Sequence, residues 1–386
     1  MSPGDGPVPT TLPGPDAQHP GADAPPAPTA RSLPYPAGVV LAEVVRGPLV
    51  ESVHLGHVVV TDPDGAVALA LGEPDVVVWP RSSLKPLQAV AMLRAGLDVD
   101  DDGLALACAS HNGEPRHLEV VRSVLASAGL SEADLQNTPD LPLDPAAALA
   151  WRTAGGEATS LTQNCSGKHA AMLVTCVLAG WPTAGYLAVD HPLQRAVRAG
   201  VEELVGEAVE HVTVDGCGAP LFSTSLAGLA HGFGRLVRAA AAAPSSAEGR
   251  VVAAVRTRPW LVGGTGRDVT AFCEAVPGLV AKDGAEGVYA AALPDGTALA
   301  LKVSDGGGRG RPAVMAAALE AALCVAAAHG GTAVDDDVVA AVQAVGRTPV
   351  LGHGAPVGEV VTGWGERGRD RAGAPDAPAS GTDGEV

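Results

Sequence analysis

Aromatic residues are scarce in this 386-residue chain, at 3% of the total, with only three Phe and three Tyr. The core must therefore be built from small and β-branched side chains, and a binding surface made of stacked aromatic rings is excluded. Positive charge is also in short supply, since the formal net charge is −18 and the pI is about 4.9. Such a chain repels phosphates and anionic lipids, which excludes nucleic acid and membrane as partners and favours a small polar ligand.

The chain also lacks targeting signals and a disulfide pattern. Its first thirty residues have neither the basic start nor the apolar run of a secretory signal. The apolar run 314–328 is interrupted by Glu320, and the run 170–189 is broken by Gly180-Trp181-Pro182-Thr183, so neither reads as a membrane span. The six cysteines are scattered through apolar surroundings, which suits a reducing compartment. We therefore expect a cytoplasmic protein.

Composition divides the chain into three parts. Residues 1–34 are rich in Pro, Ala and Gly, and residues 366–386 in Gly, Asp, Pro and Arg, so both ends are predicted to be disordered. Residues 35–365 are predicted to form the folded domain, and the 47% of hydrophobic residues in the chain suffices for a sizeable core.

Strand and helix patterns within the folded part favour an α+β fold. Two hairpins are predicted, 56–60 with 66–70 around a Pro-Asp-Gly turn, and 287–292 with 297–301 around a second one. Apolar residues at helical spacing predict helices near 84–93, 118–125, 170–178, 193–204 and 312–328. Antiparallel strands near both ends of the domain with helices between them indicate an antiparallel sheet flanked by helices, together with a mainly helical subdomain.

Lysine is the rarest charged residue, and its positions are informative. The chain has four lysines, of which Lys85, Lys168 and Lys282 lie in compact polar motifs. Unlike a guanidinium group, a buried amine can lose its proton near neutral pH and then act as a base or a metal ligand. Lys302, the fourth, is interpreted as a solvated strand end.

The first of these motifs pairs a serine with a lysine. Ser82 and Lys85 lie three positions apart where a helix is predicted to begin, so both can share one helix face. Pro86 requires the regular helix to start close to Ser83, which would leave the proline in the first turn. This spacing also arises by chance. The chemical interpretation is a serine nucleophile whose proton is taken by a neutral lysine.

Two further motifs support this interpretation. Lys282-Asp283-Gly284, just before the second hairpin, resembles the Lys-x-Gly element of serine β-lactamases and penicillin-binding proteins. Ser110-His111-Asn112 supplies a Ser-x-Asn sequence, and the three elements follow the chain order of that superfamily. In this interpretation Lys282 would lower the pKa of Lys85 or hold a substrate carboxylate. The alternative is that Lys282 is a solvated strand end without a catalytic role.

A second group of candidates contains cysteine. Cys165 and Lys168 lie in Asn164-Cys165-Ser166-Gly167-Lys168-His169, and Cys217 lies in a glycine-flanked turn after a predicted strand. Three interpretations remain open from the residues alone. They are a zinc site, a cysteine nucleophile near His169, and simple burial of small side chains.

Taken in order, five motifs give the chain a specific resemblance. They are 80–86, 108–114, 164–169, 215–218 and 281–288, and with them the chain resembles the Rhizobium etli-type L-asparaginases of the asparaginase II family, whose fold is similar to that of serine β-lactamases and glutaminases. The stretch 266–270 departs from the family, because the residue directly before Thr270 is not the expected Asp.

The resemblance implies a role for each matching residue. Ser82 and Ser110 correspond to the two active-site serines, and Lys85 and Lys282 to the two active-site lysines. Zinc (Zn²⁺) would be held by Cys165, Lys168 and Cys217, with Lys168 neutral. Substrate-binding neighbours would be Arg81, His169 and Asp215.

The implied reaction is the hydrolysis of L-asparagine to L-aspartate and ammonia. Ser82 would attack the side-chain carboxamide with Lys85 as base, while Ser110 and Lys282 relay protons and zinc orients the substrate. We also expect a homodimer. The alternatives are a glutaminase or other acyl-transfer hydrolase of the same fold, and a non-catalytic zinc-binding scaffold.

Overall fold

The computed structural model describes residues 35–364, apart from residue 331. Every described helix and strand belongs to one compact unit, which begins at Ala37. The predicted disordered ends, 1–34 and 366–386, lie outside the described residues, so that prediction remains untested.

An antiparallel sheet forms the framework of the described part. The described strands are β1 (Val39–Arg46), β2 (Leu49–Thr61), β3 (Val67–Leu71), β4 (Val77–Val78), β5 (Val212–Val214), β6 (Pro220–Phe222), β7 (Thr224–Ser225), β8 (Val280–Asp283), β9 (Val288–Ala292), β10 (Ala298–Val303), β11 (Pro349–Gly352) and β12 (Ala355–Val361). The strands of the sheet follow the order β11-β12-β1-β2-β10-β9-β8, and β3 pairs with the second half of β2. Short ladders join β4 to β7 and β5 to β6.

Both predicted hairpins are present. In the first, Val60 pairs with Leu69, and the Asp62 carboxylate closes the turn by accepting the backbone N–H groups of Asp64 and Ala66. The second joins β9 to β10. In both turns an aspartate carboxylate accepts hydrogen bonds from backbone N–H groups that follow it, and these bonds favour the turn.

Helices surround the sheet and fill the region between β4 and β8. They are α1 (Lys85–Arg94), α2 (Asp101–Ala107), α3 (Pro115–Ser127), α4 (Pro145–Thr153), α5 (Ser166–Leu178), α6 (Pro192–Val205), α7 (Leu226–Ala242), α8 (Ala247–Thr257), α9 (Pro259–Val262), α10 (Asp268–Ala275), α11 (Arg311–Gly330) and α12 (Asp336–Gly346). Two 3₁₀ turns, Arg81–Leu84 and Glu132–Asp134, complete the set. The five predicted helices correspond to α1, α3, α5, α6 and α11.

The sheet separates two hydrophobic cores. Successive side chains of a strand point to opposite faces, so Val59 and Ala300 join the core beneath α7, whereas Val60 and Leu301 join the core beneath α11. Alanine on the α7 face lets that helix approach the strands closely, which suits a chain with few aromatic residues. The predicted α+β class, an antiparallel sheet flanked by helices with a mainly helical part, is confirmed.

Helix α11 is long and apolar enough to cross a membrane by length and composition. Of the most apolar 18-residue stretch of this helix, 56% is buried within the protein. The helix packs against β1, β2 and β10. A helix that covers a sheet in this way is apolar because it forms part of a core.

Candidate active site

The segment that carries Ser82 is a constrained turn between β4 and α1. Ser83 donates its hydroxyl to the Pro80 carbonyl at 2.6 Å, and α1 begins at Lys85, which leaves Pro86 in the first helical turn as predicted. Arg81 has a φ of 54°, a left-handed conformation that costs a non-glycine residue about 1–3 kcal/mol. Ser82 is half-buried, and its hydroxyl forms no hydrogen bond within the part of the chain that the structure describes. The turn thus presents a serine hydroxyl that no described protein group engages.

Strand β8 packs against this turn and carries Lys282. The close approach depends on Gly284, because a Cβ atom there would lie 2.7 Å from the Pro80 carbonyl oxygen. The Lys-x-Gly motif therefore has a physical reason for its glycine: it lets β8 approach the Ser82 turn.

Lys85 is buried and its amine joins several parts of the chain. Its Nζ donates to Ser110 Oγ at 3.1 Å, to Cys165 Sγ at 3.1 Å and to the Ala109 carbonyl. Lys85 is thus hydrogen-bonded to Ser110, whereas the sequence spacing paired it with Ser82. Because it contacts Cys165, it also connects the serine and cysteine motifs, which are two separate groups in the sequence.

Lys282 is fully buried, which is not the environment of a solvated strand end. Its Nζ donates to the backbone carbonyl of Asp283 at 2.7 Å and to the Asp283 carboxylate. Burial lowers the pKa of Lys282 to about 8, and the positive charges of Lys85 and Arg267 contribute to the lowering, while Asp283 opposes it. Among the described residues, no hydrogen bond joins Lys282 to Ser110.

The predicted zinc ligands lie together. Cys165 precedes α5, Lys168 lies in its first turn, and Cys217 lies in the turn between β5 and β6, with Lys168 Nζ 3.3 Å from Cys217 Sγ. All three side chains are buried. Gly167 allows α5 to begin here, since a Cβ atom at that position would lie 2.5 Å from the Leu106 carbonyl oxygen.

The charges of this cysteine cluster are mutually dependent. A hydrogen bond from Cys165 lowers the pKa of Cys217 to about 5 against the effect of burial, and the Lys168 charge lowers it as well. The same hydrogen bond, together with burial, raises the pKa of Cys165 to about 12. Burial favours loss of the Lys168 proton, but the charges of Cys217, Cys165 and Asp215 more than offset it and raise the pKa of Lys168.

This donor set fits zinc only if lysine takes part. Within the described ranges, no three His, Cys, Asp or Glu side chains are grouped so as to hold a metal ion. Two cysteine sulfurs and the Lys168 amine do converge, and Cys217 is readily deprotonated. Thiolates and a neutral nitrogen are the ligand types that Zn²⁺ prefers, so the residues fit the ion provided that Lys168 loses its proton.

The three predicted substrate-binding residues surround this cluster. Arg81 Nε donates to Asp215 Oδ1 at 2.6 Å. Burial would raise the pKa of Asp215, but the charges of Lys168 and Arg81 lower it overall. The His169 ring is buried, and burial, together with the Lys168 charge, places its pKa well below the ordinary value, so the ring is neutral.

Tyr186 orients His169, and no sequence motif points to it. The Tyr186 oxygen lies 2.8 Å from His169 Nδ1 and accepts the backbone N–H of Gln136 at 3.3 Å. This hydrogen bond engages Nδ1 and leaves Nε2 as the ring nitrogen without a hydrogen-bond partner among the described residues. Only the rarity of tyrosine in this chain could have singled the residue out.

Of the two polar side chains in the Ser-x-Asn motif, only the serine lies in the site. Ser110 is in the site, but the Asn112 side chain donates to Glu114 Oε1 and to the Thr265 carbonyl, both at 2.9 Å, and so anchors a neighbouring loop. In the 266–270 stretch that departs from the family, Asp268 binds Arg311 through both carboxylate oxygens, at 2.8 and 3.0 Å.

Comparison with known proteins identifies the family. The family model described as L-asparaginase II matches residues 42–362, most of the chain. The chain belongs to the L-asparaginase II family. The family supports an asparaginase-type amidohydrolase acting on a small molecule. Membership of the Rhizobium etli-type subgroup remains a prediction, as do the individual site assignments.

Other comparisons add little to the L-asparaginase II assignment. A search of curated proteins found no match. Among solved structures, the chain is similar to a β-lactamase from Mycobacterium bovis at 16% sequence identity and a TM-score of 0.31, covering 66% of this chain and 88% of that one.

Proposed function

We propose that this L-asparaginase II family member hydrolyses L-asparagine to L-aspartate and ammonia by way of an ester on Ser82. The proposal is supported by the family match over residues 42–362 and by the arrangement around Lys85. The contact that carries it is the one between Lys85 Nζ and Ser110 Oγ, at 3.1 Å, because it forms a buried amine–hydroxyl pair at the start of the helix that follows Ser82.

Acylation begins with attack by Ser82. Its oxygen bonds to the side-chain carboxamide carbon, and its proton moves to the Lys85 amine, which acts as base after releasing its own proton. The Ser110 hydroxyl accepts a hydrogen bond from Lys85 and keeps its own proton to donate, so it can relay a proton toward the leaving nitrogen. Cleavage of the C–N bond releases ammonia. Water then cleaves the ester, which yields L-aspartate and restores Ser82.

Attack by Ser82 places negative charge on the carboxamide oxygen, and hydrogen-bond donors near Ser82 are needed to stabilise it. Backbone N–H groups at the start of the Arg81–Leu84 turn and α1 belong to a helix N-terminus, where negative charge is stabilised. The left-handed conformation of Arg81 supports this role, since backbone strain of that kind is commonly retained at functional sites.

Substrate recognition is assigned to Arg81, Asp215 and His169. A free amino acid carries one carboxylate and one ammonium group, and the Arg81–Asp215 ion pair offers one partner for each. Neutral His169 offers its Nε2 atom, which has no hydrogen-bond partner among the described residues. These groups favour asparagine as a free amino acid over a peptide.

Zinc is proposed to be held by Cys165, Lys168 and Cys217. When bound, it would supply a positive charge that polarises and orients the substrate. The nucleophile in this proposal is Ser82, and the proton transfers belong to Lys85, Ser110 and Lys282.

Ammonia release by the purified protein tests this proposal. Wild-type protein is expected to release ammonia from L-asparagine, and the ratio to release from L-glutamine separates an asparaginase from a glutaminase. Ser82→Ala should lower the rate by about 10³-fold or more, because it removes the covalent route. Ser127→Ala, at the exposed end of α3, is the matched control. Wild-type turnover by a folded Ser82→Ala protein would exclude Ser82 as the nucleophile.

A further inference from the structure

Arg267 lies between the two halves of the proposed proton path. It precedes α10, and its side chain is largely buried. One arm of the guanidinium, Nη1, donates to the Ser110 carbonyl at 3.2 Å, and the other, Nη2, donates to Asp283 Oδ2 at 2.6 Å. One rigid group therefore connects the backbone of Ser110 to the carboxylate that holds Lys282.

Asp283 is shared by three cations. Besides Lys282 and Arg267, it faces Arg311 Nη1 at 3.5 Å, and Arg311 is fixed by its two hydrogen bonds to Asp268. Burial would raise the pKa of Asp283, but these three positive charges hold it far below its ordinary value. The carboxylate is therefore ionised, with Oδ1 facing Lys282 and Oδ2 facing Arg267 and Arg311.

We propose that Arg267 is a positioning residue for the asparaginase reaction: it fixes Ser110 relative to Lys282, and it shares the Asp283 carboxylate with the Lys282 amine. The inference deepens the proposed function and rests on it. The planar fork of arginine suits the task, because a single group must bond a backbone carbonyl and a carboxylate in different directions.

The charge balance around Lys282 predicts the sign of the effect. The groups that interact with its amine are Asp283 on the same strand, the cations Lys85 and Arg267, and the thiols of Cys108 and Cys273. Burial raises the pKa of both thiols to about 12, so they are neutral. Arg311 acts on Lys282 through Asp283. Removing the Arg267 charge takes away a repulsive cation, so Lys282 should hold its proton to higher pH.

Steady-state kinetics against pH test the proposal. With L-asparagine, wild-type kcat/KM should rise with pH as Lys282 loses its proton. The midpoint of this rising limb of the pH profile should lie at about 8. Arg267→Gln should shift this limb to higher pH by about one unit. Near pH 7 this shift lowers kcat/KM about tenfold, with KM little changed. Arg267→Lys retains the charge but not the fork, so its limb should stay near that of wild type while kcat falls. Arg116→Gln, an exposed arginine of α3, is the control.

A measurement without substrate separates this inference from the proposed function. The pKa of Lys282 in the folded state, about 8, lies below its ordinary value of 10.5, so the unfolded chain binds more protons between these two pH values. The free energy of unfolding attributable to Lys282 should therefore rise across that range. Comparison with Lys282→Met isolates this rise, which should be smaller in Arg267→Gln.

Each outcome decides between the two claims. If wild-type protein fails to hydrolyse asparagine but the rise in stability shrinks in Arg267→Gln, the function is wrong and the electrostatic role of Arg267 stands. If Arg267→Gln keeps the wild-type limb, kcat and stability rise, the inference is overturned. Should Arg267→Gln fail to fold, Arg267→Lys decides, since an unchanged kcat in that variant contradicts the positioning role.

Discussion

At the scale of single residues, the site is organised around the Lys85 amine. It contacts Ser110 of the serine motif and Cys165 of the cysteine motif, so two groups that are separate in sequence are connected in space. The three lysines that stood out in the sequence, Lys85, Lys168 and Lys282, are all buried, and burial of an amine is costly. The roles of the ten predicted site residues stay predictions.

The hydrogen-bond partners of the site residues were harder to predict from the sequence than the residues themselves. The i, i+3 spacing paired Lys85 with Ser82, but the turn at Arg81–Leu84 is a 3₁₀ turn and the amine reaches Ser110 instead. Tyr186 and Arg267 could not be found from spacing, because their contacts with His169 and Asp283 depend on how distant loops pack.

Replacement of Lys85 by arginine tests the base. Lys85→Arg should lower asparagine turnover by about 10³-fold, because a guanidinium stays protonated and cannot accept the Ser82 proton. Initial rates of ammonia release measure this, with Lys302→Arg as the matched control, since Lys302 only donates to the backbone carbonyls of Glu286 and Val303. Near-normal turnover by Lys85→Arg would remove Lys85 from the role of base.

At the scale of elements, the site depends on how closely β8 approaches the Ser82 turn. Local signals predicted the hairpins β2–β3 and β9–β10, because Asp-containing turns and their flanking strands are contiguous in sequence. Strands β1 and β12 went unpredicted. Their pairing, Val44 with Val360, joins segments more than 300 residues apart and leaves no local signature.

Gly284→Ala tests this element-scale account. The added Cβ would lie 2.7 Å from the Pro80 carbonyl oxygen, so β8 or the Ser82 turn must shift. We expect a loss of about 1–3 kcal/mol in the free energy of unfolding and a fall in kcat of up to about 10²-fold. Urea unfolding and ammonia release measure the two effects. Gly308→Ala, where an added Cβ meets nothing within 4 Å, is the control. Unchanged kcat in Gly284→Ala would show that the close approach does not matter.

At the scale of the whole molecule, composition and pattern predicted the α+β class, and the family model supports a small-molecule substrate. Cytoplasmic location and a homodimer stay predictions. The metal content likewise awaits measurement.

Zinc analysis of the purified chain tests the metal proposal. We expect close to one zinc per chain, lost in Cys217→Ala and in Lys168→Arg, because neither variant retains all three ligands. Affinity should fall as pH falls, since the thiols and the amine must be deprotonated to coordinate. Cys324→Ala, on α11, is the control. A zinc-free protein with full activity, and an unchanged melting temperature in Cys217→Ala, would contradict the proposal.

The central claim is that asparagine is cleaved through an ester on Ser82, and rapid acid quenching followed by peptide mass spectrometry tests it most directly. During turnover of L-asparagine, the peptide that contains Ser82 should gain the mass of one aspartyl group, and no such gain should occur in Ser82→Ala. Ser110 is the serine that is hydrogen-bonded to Lys85, so it is the relevant competitor of Ser82. An aspartyl group found on Ser110, or steady turnover without any adduct on Ser82, would contradict the account.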